Sequence, residues 1–461
     1  MDSQSFEKSS LFKTKYGFIL TSAGAAIGLG NIWRFPYVAG EHGGAIFVLI
    51  YVICLIAIGA PVMIMEFSIG RVSRQAVAHA FSTIMSRKTK WSLLGWFAIL
   101  GSYILMMFYT TIAGWVLAYL FHMVRGDFKN LDSVAISAVF QKLTSNPLLS
   151  LIWMIIACTI GFLICSIDFH KGFEKAIRSI LFFLPILMLM LIIRTSLMPN
   201  ATAGFSFLLI PDFRQLEVIG PWKIISAAMT QAFFTISAGC GVMMLFGRRA
   251  DNEKSFTSAS IPVIAIDTSI SFLAGLIIFP ACFAFSIDIK SGPALVFMTL
   301  PNIFNSMPGS VVWGGLFFLS LTFATFCTLL SVFESIITFT MDVSGCSRKK
   351  AAFYNAIVII IFSVPCALGF NVLSNITPFG EGSTILDLLD FIVSNNIVPL
   401  SAILFILFCT SRYGWGWNNF IEETNKCDGL NFPHKTRFYL TYILPIVIFT
   451  IFVLGYIDKF F

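Results

Sequence analysis

The chain has 461 residues and a net charge of +7; 57% of its residues are hydrophobic, only 11% are charged, and the mean hydropathy is +0.87. A water-soluble domain carries roughly 25% charged residues. This composition therefore excludes a soluble globular protein and indicates one that lies in a lipid bilayer.

Eleven apolar stretches are long enough to cross the hydrocarbon core, which takes about 20 helical residues. They lie at about 17–39, 43–70, 91–124, 148–167, 175–195, 221–247, 257–286, 309–342, 351–370, 384–411 and 437–457. The segment before the first stretch has no small-residue cleavage site, so we interpret that stretch as a retained helix and not as a signal peptide. The predicted fold class is an all-α polytopic membrane protein with a single transmembrane domain, 1–461.

The basic residues predict the orientation of the chain. If the N-terminus is inside, 21 of the 30 Lys and Arg residues fall in inward segments and seven in outward segments. The positive-inside rule thus places the N-terminus in the cytoplasm and, after eleven crossings, the C-terminus outside. The predicted location is the plasma membrane, the inner membrane of a bacterium. This distribution accounts for the positive charge without a nucleic-acid partner.

Two spans contain glycine clusters at mid-membrane depth. Three glycines and an asparagine lie between Gly24 and Asn31 in the first span, and Gly239 and Gly241 lie in the sixth. Gly is less favourable than Ala in a helix interior by roughly 1 kcal/mol. Close helix packing is one explanation for such small residues. The other is a pair of broken helices at matching positions of two halves, which is typical of a transporter site.

Six motifs extend through these spans and their neighbours. They are Gly24-Ala-Ala-Ile-Gly-Leu-Gly-Asn-Ile-Trp-Arg-Phe-Pro36, Glu41-His-Gly-Gly44, Glu66-Phe-Ser-Ile-Gly-Arg71, Gln231-Ala-Phe-Phe-Thr-Ile-Ser237, Thr299-Leu-Pro-Asn-Ile-Phe304 and Asp387-Leu-Leu-Asp-Phe391. Together they resemble the bacterial amino-acid branch of the neurotransmitter:sodium symporter family, over essentially the whole chain. The resemblance implies two inverted five-helix repeats, about 17–195 and 221–411, with helices 1 and 6 broken, and an extra helix at about 437–457; this family is itself a standard example of that architecture.

The resemblance also implies two sodium sites. The first would use the Ala26 carbonyl with the side chains of Asn31, Thr235 and Asp267. Asp267 stands where the family more often has Asn, and a buried carboxylate is costly unless it is protonated or paired with a cation; a simple hydrogen-bonding role for Asp267 is the alternative. The second site would use Gly24, Ile27, Ala324, Cys327 and Thr328. Because a thiol is a poor sodium ligand, this site is expected to be weaker, completed by water or lost, and the number of sodium ions is one or two.

The substrate positions follow from the same resemblance. The substrate carboxylate would meet the Leu29 and Gly30 amides and Tyr109, and the ammonium would meet Ala26, Phe234, Thr235 and Ser237. The side-chain pocket would consist of Leu105, Tyr109, Phe234, Ser237, Cys240, Thr328 and Val332. Gly28 stands where monoamine transporters of the family have Asp, so the substrate is expected to bring its own carboxylate. The apolar lining disfavours a charged side chain, and we expect a neutral, hydrophobic or aromatic amino acid.

Gates and chloride are the remaining expectations. Arg34 and Asp390 would close the outer path, and Asp342 would belong to an inner gate whose partner is open, with Lys8 or Lys13 as candidates. The chloride-site positions of animal relatives correspond to Tyr51, Gln231, Thr235 and Ser271. A carboxylate at 267 would repel an anion there, so transport is expected to be chloride-independent.

The predicted function is sodium-coupled import of an amino acid by alternating access. A sensor with the same fold that binds without transporting is the main alternative, and a channel is a further one. The five His residues are scattered, and the ten Cys residues lack metal-ligand spacing, which argues against an enzyme or a zinc site. The sequence does not indicate an oligomeric state.

Overall fold

The computed structural model describes residues 12, 14–85, 89–129, 131–236, 239–251, 255–285 and 295–460. Regular secondary structure in these ranges is entirely helical. In chain order the helices are α1 (Lys15–Ala26), α2 (Phe35–Glu41, which continues the π-helical turn Gly30–Arg34), α3 (Ala45–Ser73), α4 (Val77–Met85), α5 (Ser92–Arg125), α6 (Ser133–Ser145), α7 (Pro147–Ile167), α8 (Phe169–Ser196), α9 (Ala201–Leu209), α10 (Arg214–Ile219), α11 (Pro221–Thr235), α12 (Val242–Arg249), α13 (Phe256–Ala284), α14 (Leu300–Asn305), α15 (Ser310–Ser344), α16 (Arg348–Leu368), α17 (Ile385–Thr410), α18 (Trp417–Thr424) and α19 (Leu444–Phe460).

Nine helices of the described ranges are long and apolar enough to cross a membrane. They are α3, α5, α7, α8, α13, α15, α16, α17 and the stretch His434–Ile457 that leads into α19. Each coincides with a predicted span, although α8 begins at Phe169 and not near 175. The earlier start has a local cause, because the Asp168 side chain accepts hydrogen bonds from the His170 and Lys171 amides and caps the helix.

The two other predicted spans are divided into pairs of shorter helices. The first consists of α1 and α2, and the sixth consists of α11 and α12. The predicted interruption of these two helices is therefore confirmed.

The first break needs glycine because neighbouring helices approach closely. After Ala26 the chain becomes extended at Ile27, with φ −72° and ψ 127°. A Cβ at Gly28 would lie 2.3 Å from Thr328 Oγ1, and one at Gly24 would lie 2.4 Å from Ile177 Cγ2. The second break needs glycine for a different reason. Gly239 has φ +97° and Gly241 has φ +71°, a left-handed conformation that favours glycine.

The core lies around α5 and α15. In the most apolar part of each helix, 83% of α15 residues and 67% of α5 residues are buried, against 28% for α8 and 22% for the His434–Ile457 stretch. The latter two therefore present most of their surface to the membrane. Helix α1 packs between α13 and α15, so the first break lies at the centre of the bundle.

Candidate ion and substrate site

A cluster of buried oxygens surrounds Asn31 just after the first break. Four oxygens lie within hydrogen-bond distance of the two N–H donors of Asn31 Nδ2: Asp267 Oδ1 at 2.7 Å, Ser271 Oγ at 2.8 Å, the Asp267 carbonyl at 3.2 Å and Thr235 Oγ1 at 3.3 Å. Thr235 Oγ1 in turn donates to Asp267 Oδ2 at 3.0 Å. All four residues are buried. The structure thus brings together Asn31, Thr235 and Asp267, and it adds Ser271, which the sequence did not assign to this set.

The chemistry of this cluster suits a small hard cation. Asp267 is fully buried, and its side-chain partners are the neutral groups of Asn31 and Thr235. A buried carboxylate without a cationic partner is costly, and a cation would compensate it. Rotation of the Asn31 amide by 180° would present Oδ1 to the same space, since amide nitrogen and oxygen occupy equivalent positions. The Asn31 Oδ1 atom now accepts from the Gly28 amide at 2.8 Å, which ties the cluster to the break.

The second predicted cation position lies on the other side of the same break. Thr328 Oγ1 donates to the Ile27 carbonyl at 3.0 Å, so these two residues meet. Gly24, Ala324 and Cys327 are buried on the facing helices α1 and α15. Beside the Thr328 hydroxyl, position 327 of α15 carries a thiol and not a second hydroxyl.

A central cavity of about 300 Å³ adjoins the oxygen cluster. Its lining includes nine of the predicted substrate residues: Ala26, Leu29, Gly30, Leu105, Tyr109, Phe234, Thr235, Cys240 and Thr328. The Tyr109 hydroxyl lies 3.4 Å from both the Leu29 amide and the Thr325 carbonyl. Amides at the start of a helical segment and a phenol hydroxyl form a suitable place for a carboxylate.

The cavity lining differs from the prediction in two respects. Val332 is buried but does not line the cavity, because it lies one helical turn beyond Thr328 on α15. Ser237 lies outside the described residues. The lining residues that the sequence did not reveal are Phe108, Thr230, Val393, Ser394, Asn395 and Val398. Those on α17 belong to or adjoin a π-helical stretch, Phe391–Ile397, which changes the helical register and left no clear sign in the sequence.

The predicted outer gate residues flank the mouth of this cavity. A second cavity of about 480 Å³ shares six lining residues with it: Arg34, Thr230, Phe234, Asp390, Ser394 and Asn395. The two cavities therefore form one path toward the predicted outer side. The Arg34 guanidinium carbon lies 4.3 Å from the centre of the Phe234 ring. Asp390 accepts a hydrogen bond from Ser394 at 2.6 Å. Arg34 and Asp390 therefore face the same opening with different contacts and are not joined as an ion pair.

Two groups of ion pairs cross the predicted inner end. The Asp342 carboxylate accepts hydrogen bonds from both terminal nitrogens of Arg248, at 2.6 and 3.2 Å, and from the Ala76 amide at 2.9 Å. Arg248 was not predicted as the partner of Asp342, and the suggested Lys8 and Lys13 lie outside the described residues. The fully buried Glu334 pairs with Arg348 and, at 3.4 Å, with Arg249. Glu334 lies inside a predicted apolar span, and this unusual position could have indicated the second group of ion pairs from the sequence.

Buried polar side chains lie at the second break and at the positions that correspond to the chloride site of animal relatives. Glu66 is fully buried and accepts the Gly239 amide at 2.6 Å, which satisfies backbone that the break leaves unpaired. The Gln231 amide donates to the Gly30 carbonyl at 3.3 Å. Within the described ranges, Tyr51 Oη and Gln231 Oε1 are buried without a hydrogen-bond partner.

These features define a class of protein: an integral membrane transporter with two interrupted helices around a central polar and apolar cavity. The model of the Sodium:neurotransmitter symporter family matches residues 9–131 and 135–459. The chain belongs to this family, as its motifs predicted.

Individual relatives agree with this assignment. The uncharacterized sodium-dependent transporter YhdH of Bacillus subtilis is 30% identical over 95% of this chain and 96% of its own length. An uncharacterized sodium-dependent transporter of Haemophilus influenzae is 28% identical over 96% and 97% of the two chains. The sodium- and chloride-dependent GABA transporter 2 of Mus musculus is 25% identical over 88% and 73%.

A solved structure has the same fold. The crystal structure of MhsT in complex with L-phenylalanine superposes with a TM-score of 0.85 at 32% identity, and covers 96% of this chain and 99% of the MhsT chain. Sodium-coupled transport is the function shared by the family.

Proposed function

We propose that the protein imports a neutral, hydrophobic or aromatic amino acid together with sodium by alternating access. The observation that carries this proposal is the contact between two kinds of site. The cavity of about 300 Å³ has apolar side chains at its walls, and Asn31 and Thr235 belong both to its lining and to the buried oxygen cluster with Asp267. An ion and a substrate at these positions would stabilise each other directly.

The substrate class rests on Gly28 and on the cavity walls. A Cβ at Gly28 would lie 2.3 Å from Thr328 Oγ1 and 3.3 Å from the Tyr109 hydroxyl, so this position has no room for a carboxylate side chain. A substrate amine without its own carboxylate would lack a counter-ion there. Leu105, Phe108 and Val398 favour an apolar side chain. The phenylalanine bound in MhsT supports the same class.

We infer that one sodium ion binds firmly and that a second binds weakly. The firm site is the cluster of Asn31, Thr235 and Asp267 with the Ala26 carbonyl, and the weak one lies between Ile27 and Thr328. Asp267 would supply the negative charge that chloride provides elsewhere, so transport would not require chloride. The inner closure would rest on Asp342 with Arg248, while Arg34, Asp390 and Phe234 would close the outer path after substrate enters.

The proposed architecture has eleven crossings in the plasma membrane, with the N-terminus inside and the C-terminus outside. It consists of two inverted five-helix repeats and one extra helix within a single domain. The nine long helices, the two divided ones and the inward excess of basic residues support this arrangement.

Uptake into proteoliposomes tests the proposal. Radiolabelled amino acids are offered to reconstituted protein with an inward sodium gradient, with equal sodium on both sides, and with potassium in place of sodium. We expect concentrative uptake of a hydrophobic or aromatic amino acid only with the gradient. Binding without uptake would indicate a sensor, and uptake that only equilibrates would indicate a channel. Preference for glycine or alanine would contradict the proposed substrate class.

A further inference from the structure

A cavity of about 840 Å³ lies outside the transport path, between α1 and the first turns of α8. Its α1 wall consists of Thr14 and Leu20. The α8 wall consists of His170, Lys171, Glu174, Lys175, Arg178, Ser179, Leu181, Phe182 and Phe183. We call this cavity the α1–α8 groove. It lies at the end of these helices that the charge distribution predicts to be cytoplasmic.

The groove has a cationic end and an apolar end on one helix face. Lys171, Lys175, Arg178 and Phe182 follow each other at intervals of four, three and four residues, so their side chains lie along the same side of α8. The three cations are exposed, and Phe182 is 65% exposed although it is a large aromatic residue. Within about three helical turns, α8 thus presents positive charge at the level of lipid headgroups and then apolar surface at the level of acyl chains.

The acids near the groove are already engaged by the protein. Glu174 is buried and lies 2.5 Å from His170 Nδ1 and 3.8 Å from Arg178. It packs against α1, since a Cβ at Gly17 would lie 2.6 Å from its Oε1 atom. Asp168 accepts the amides that begin α8. Within the described ranges Lys171 and Lys175 form no ion pair, so the groove keeps an excess of positive charge.

A second feature of the groove is a buried nitrogen at its edge. His170 lines the groove, and its Nε2 atom is buried without a hydrogen-bond partner in the described part of the chain. A buried polar atom of this kind usually has a partner, either protein or ordered water.

We infer that the α1–α8 groove binds an anionic glycerophospholipid. Its phosphate would lie among Lys171, Lys175 and Arg178, and an acyl chain would follow Leu20, Leu181 and Phe182 into the bilayer. Basic pockets between membrane helices on the cytoplasmic side are suited to such headgroups, and charge-assisted contacts to phosphate are stronger than neutral ones. This inference does not depend on which amino acid, if any, the protein transports.

The lipid would join two elements that a broken helix leaves weakly connected. Helix α1 ends at the first break, so its position relative to α8 depends on side contacts such as Gly17 with Glu174 and Gly24 with Ile177. A lipid that contacts both α1 and α8 would bind the conformation in which the two helices are packed together, and would thereby stabilise that conformation.

The test uses the purified full chain, stripped of lipid in detergent, with phosphatidylglycerol and phosphatidylcholine as probes in native mass spectrometry. We expect phosphatidylglycerol to bind roughly tenfold or more tightly than phosphatidylcholine. The combined variant Lys171→Gln, Lys175→Gln, Arg178→Gln is expected to lose this preference. The variant Lys171→Arg, Lys175→Arg keeps the charges and is expected to retain it.

A matched control separates a site from general attraction to charge. The combined variant Lys349→Gln, Lys350→Gln, Arg437→Gln removes three exposed cations from the same predicted side of the membrane and is expected to keep the preference. An equal loss in this control would overturn the inference. A thermal unfolding measurement adds a second check. If inorganic phosphate alone protects the wild type as much as phosphatidylglycerol does, the groove is a site for a free anion and the inference is overturned.

Discussion

The two candidate cation positions lie on either side of one break in the first membrane helix, yet they differ in chemistry. Around Asn31, a carboxylate, two hydroxyls and a backbone carbonyl converge within 3.3 Å of one amide nitrogen. At the other position, one hydroxyl contacts one carbonyl, that of Thr328 with Ile27. The preceding residue on α15, Cys327, carries a thiol. The first position has a negative charge to balance a cation, whereas the second offers neutral groups only. Proximity to the same break therefore does not make two sites equivalent.

The largest expected effect is that of Asn31→Ala. This change removes the group that joins Asp267, Ser271 and Thr235, and loss of one ligand or its support typically weakens a metal site by at least 10- to 100-fold. We expect sodium-dependent substrate binding to become undetectable or roughly 100-fold weaker, as measured by scintillation proximity.

The matched control for this variant is Asn355→Ala. Asn355 is also a buried amide on α16, and it bonds to Tyr103 of α5 and Thr340 of α15, away from the first break. Its loss is expected to lower stability but not the sodium dependence of folded protein. Unchanged sodium affinity in Asn31→Ala would contradict the first site.

A smaller effect is expected from Asp267→Asn. Removal of the buried charge is expected to weaken sodium binding by about tenfold and to make transport depend on chloride, because an anion near Tyr51 and Gln231 would then restore the balance. The measurement is uptake in chloride against gluconate. Asp212→Asn, which removes an exposed carboxylate paired with Arg214, is expected to change neither property. Chloride-dependent uptake by the unaltered protein, or its absence in the variant, would show that Asp267 does not have this role.

The smallest effect is expected from Cys327→Ser, which gives the second cation position another hydroxyl and makes its chemistry more like that of the first. One added oxygen contact is expected to raise the apparent sodium affinity about three- to tenfold and to steepen the sodium dependence of uptake. The control is Cys366→Ser, since Cys366 is a buried thiol on α16 away from the break. An identical response in both variants would mean that the second position does not bind sodium.

The location of the helices was largely predictable. All nine long helices coincide with predicted spans, and both breaks fall at the glycine clusters. Apolar length and glycine content are local properties, so they can be read along the chain. The early start of α8 was missed because its first turns carry Lys171 and Lys175 in place of apolar residues.

Pairing between distant residues was less predictable. Asp342 had two candidate partners, Lys8 and Lys13, and its contact with Arg248 depends on how α12 leaves the second break. The lining role of Asn395 and the displacement of Val332 from the cavity depend on helical register in α17 and α15. Such relations follow from packing and not from any local pattern.

By itself the sequence determined the class of this protein, its helical spans and the two places where a helix is interrupted. The apolar composition predicts that the chain lies in a lipid bilayer, and the glycine clusters predict where its membrane helices are interrupted. The family resemblance grouped Asn31, Thr235 and Asp267, but only the tertiary structure decided which atoms meet at the breaks and that Ser271 joins them. Asn31 and Asp267 are 236 positions apart, and nothing local to either reveals that they share one buried cluster; close packing of α13 beside the first break brings them together.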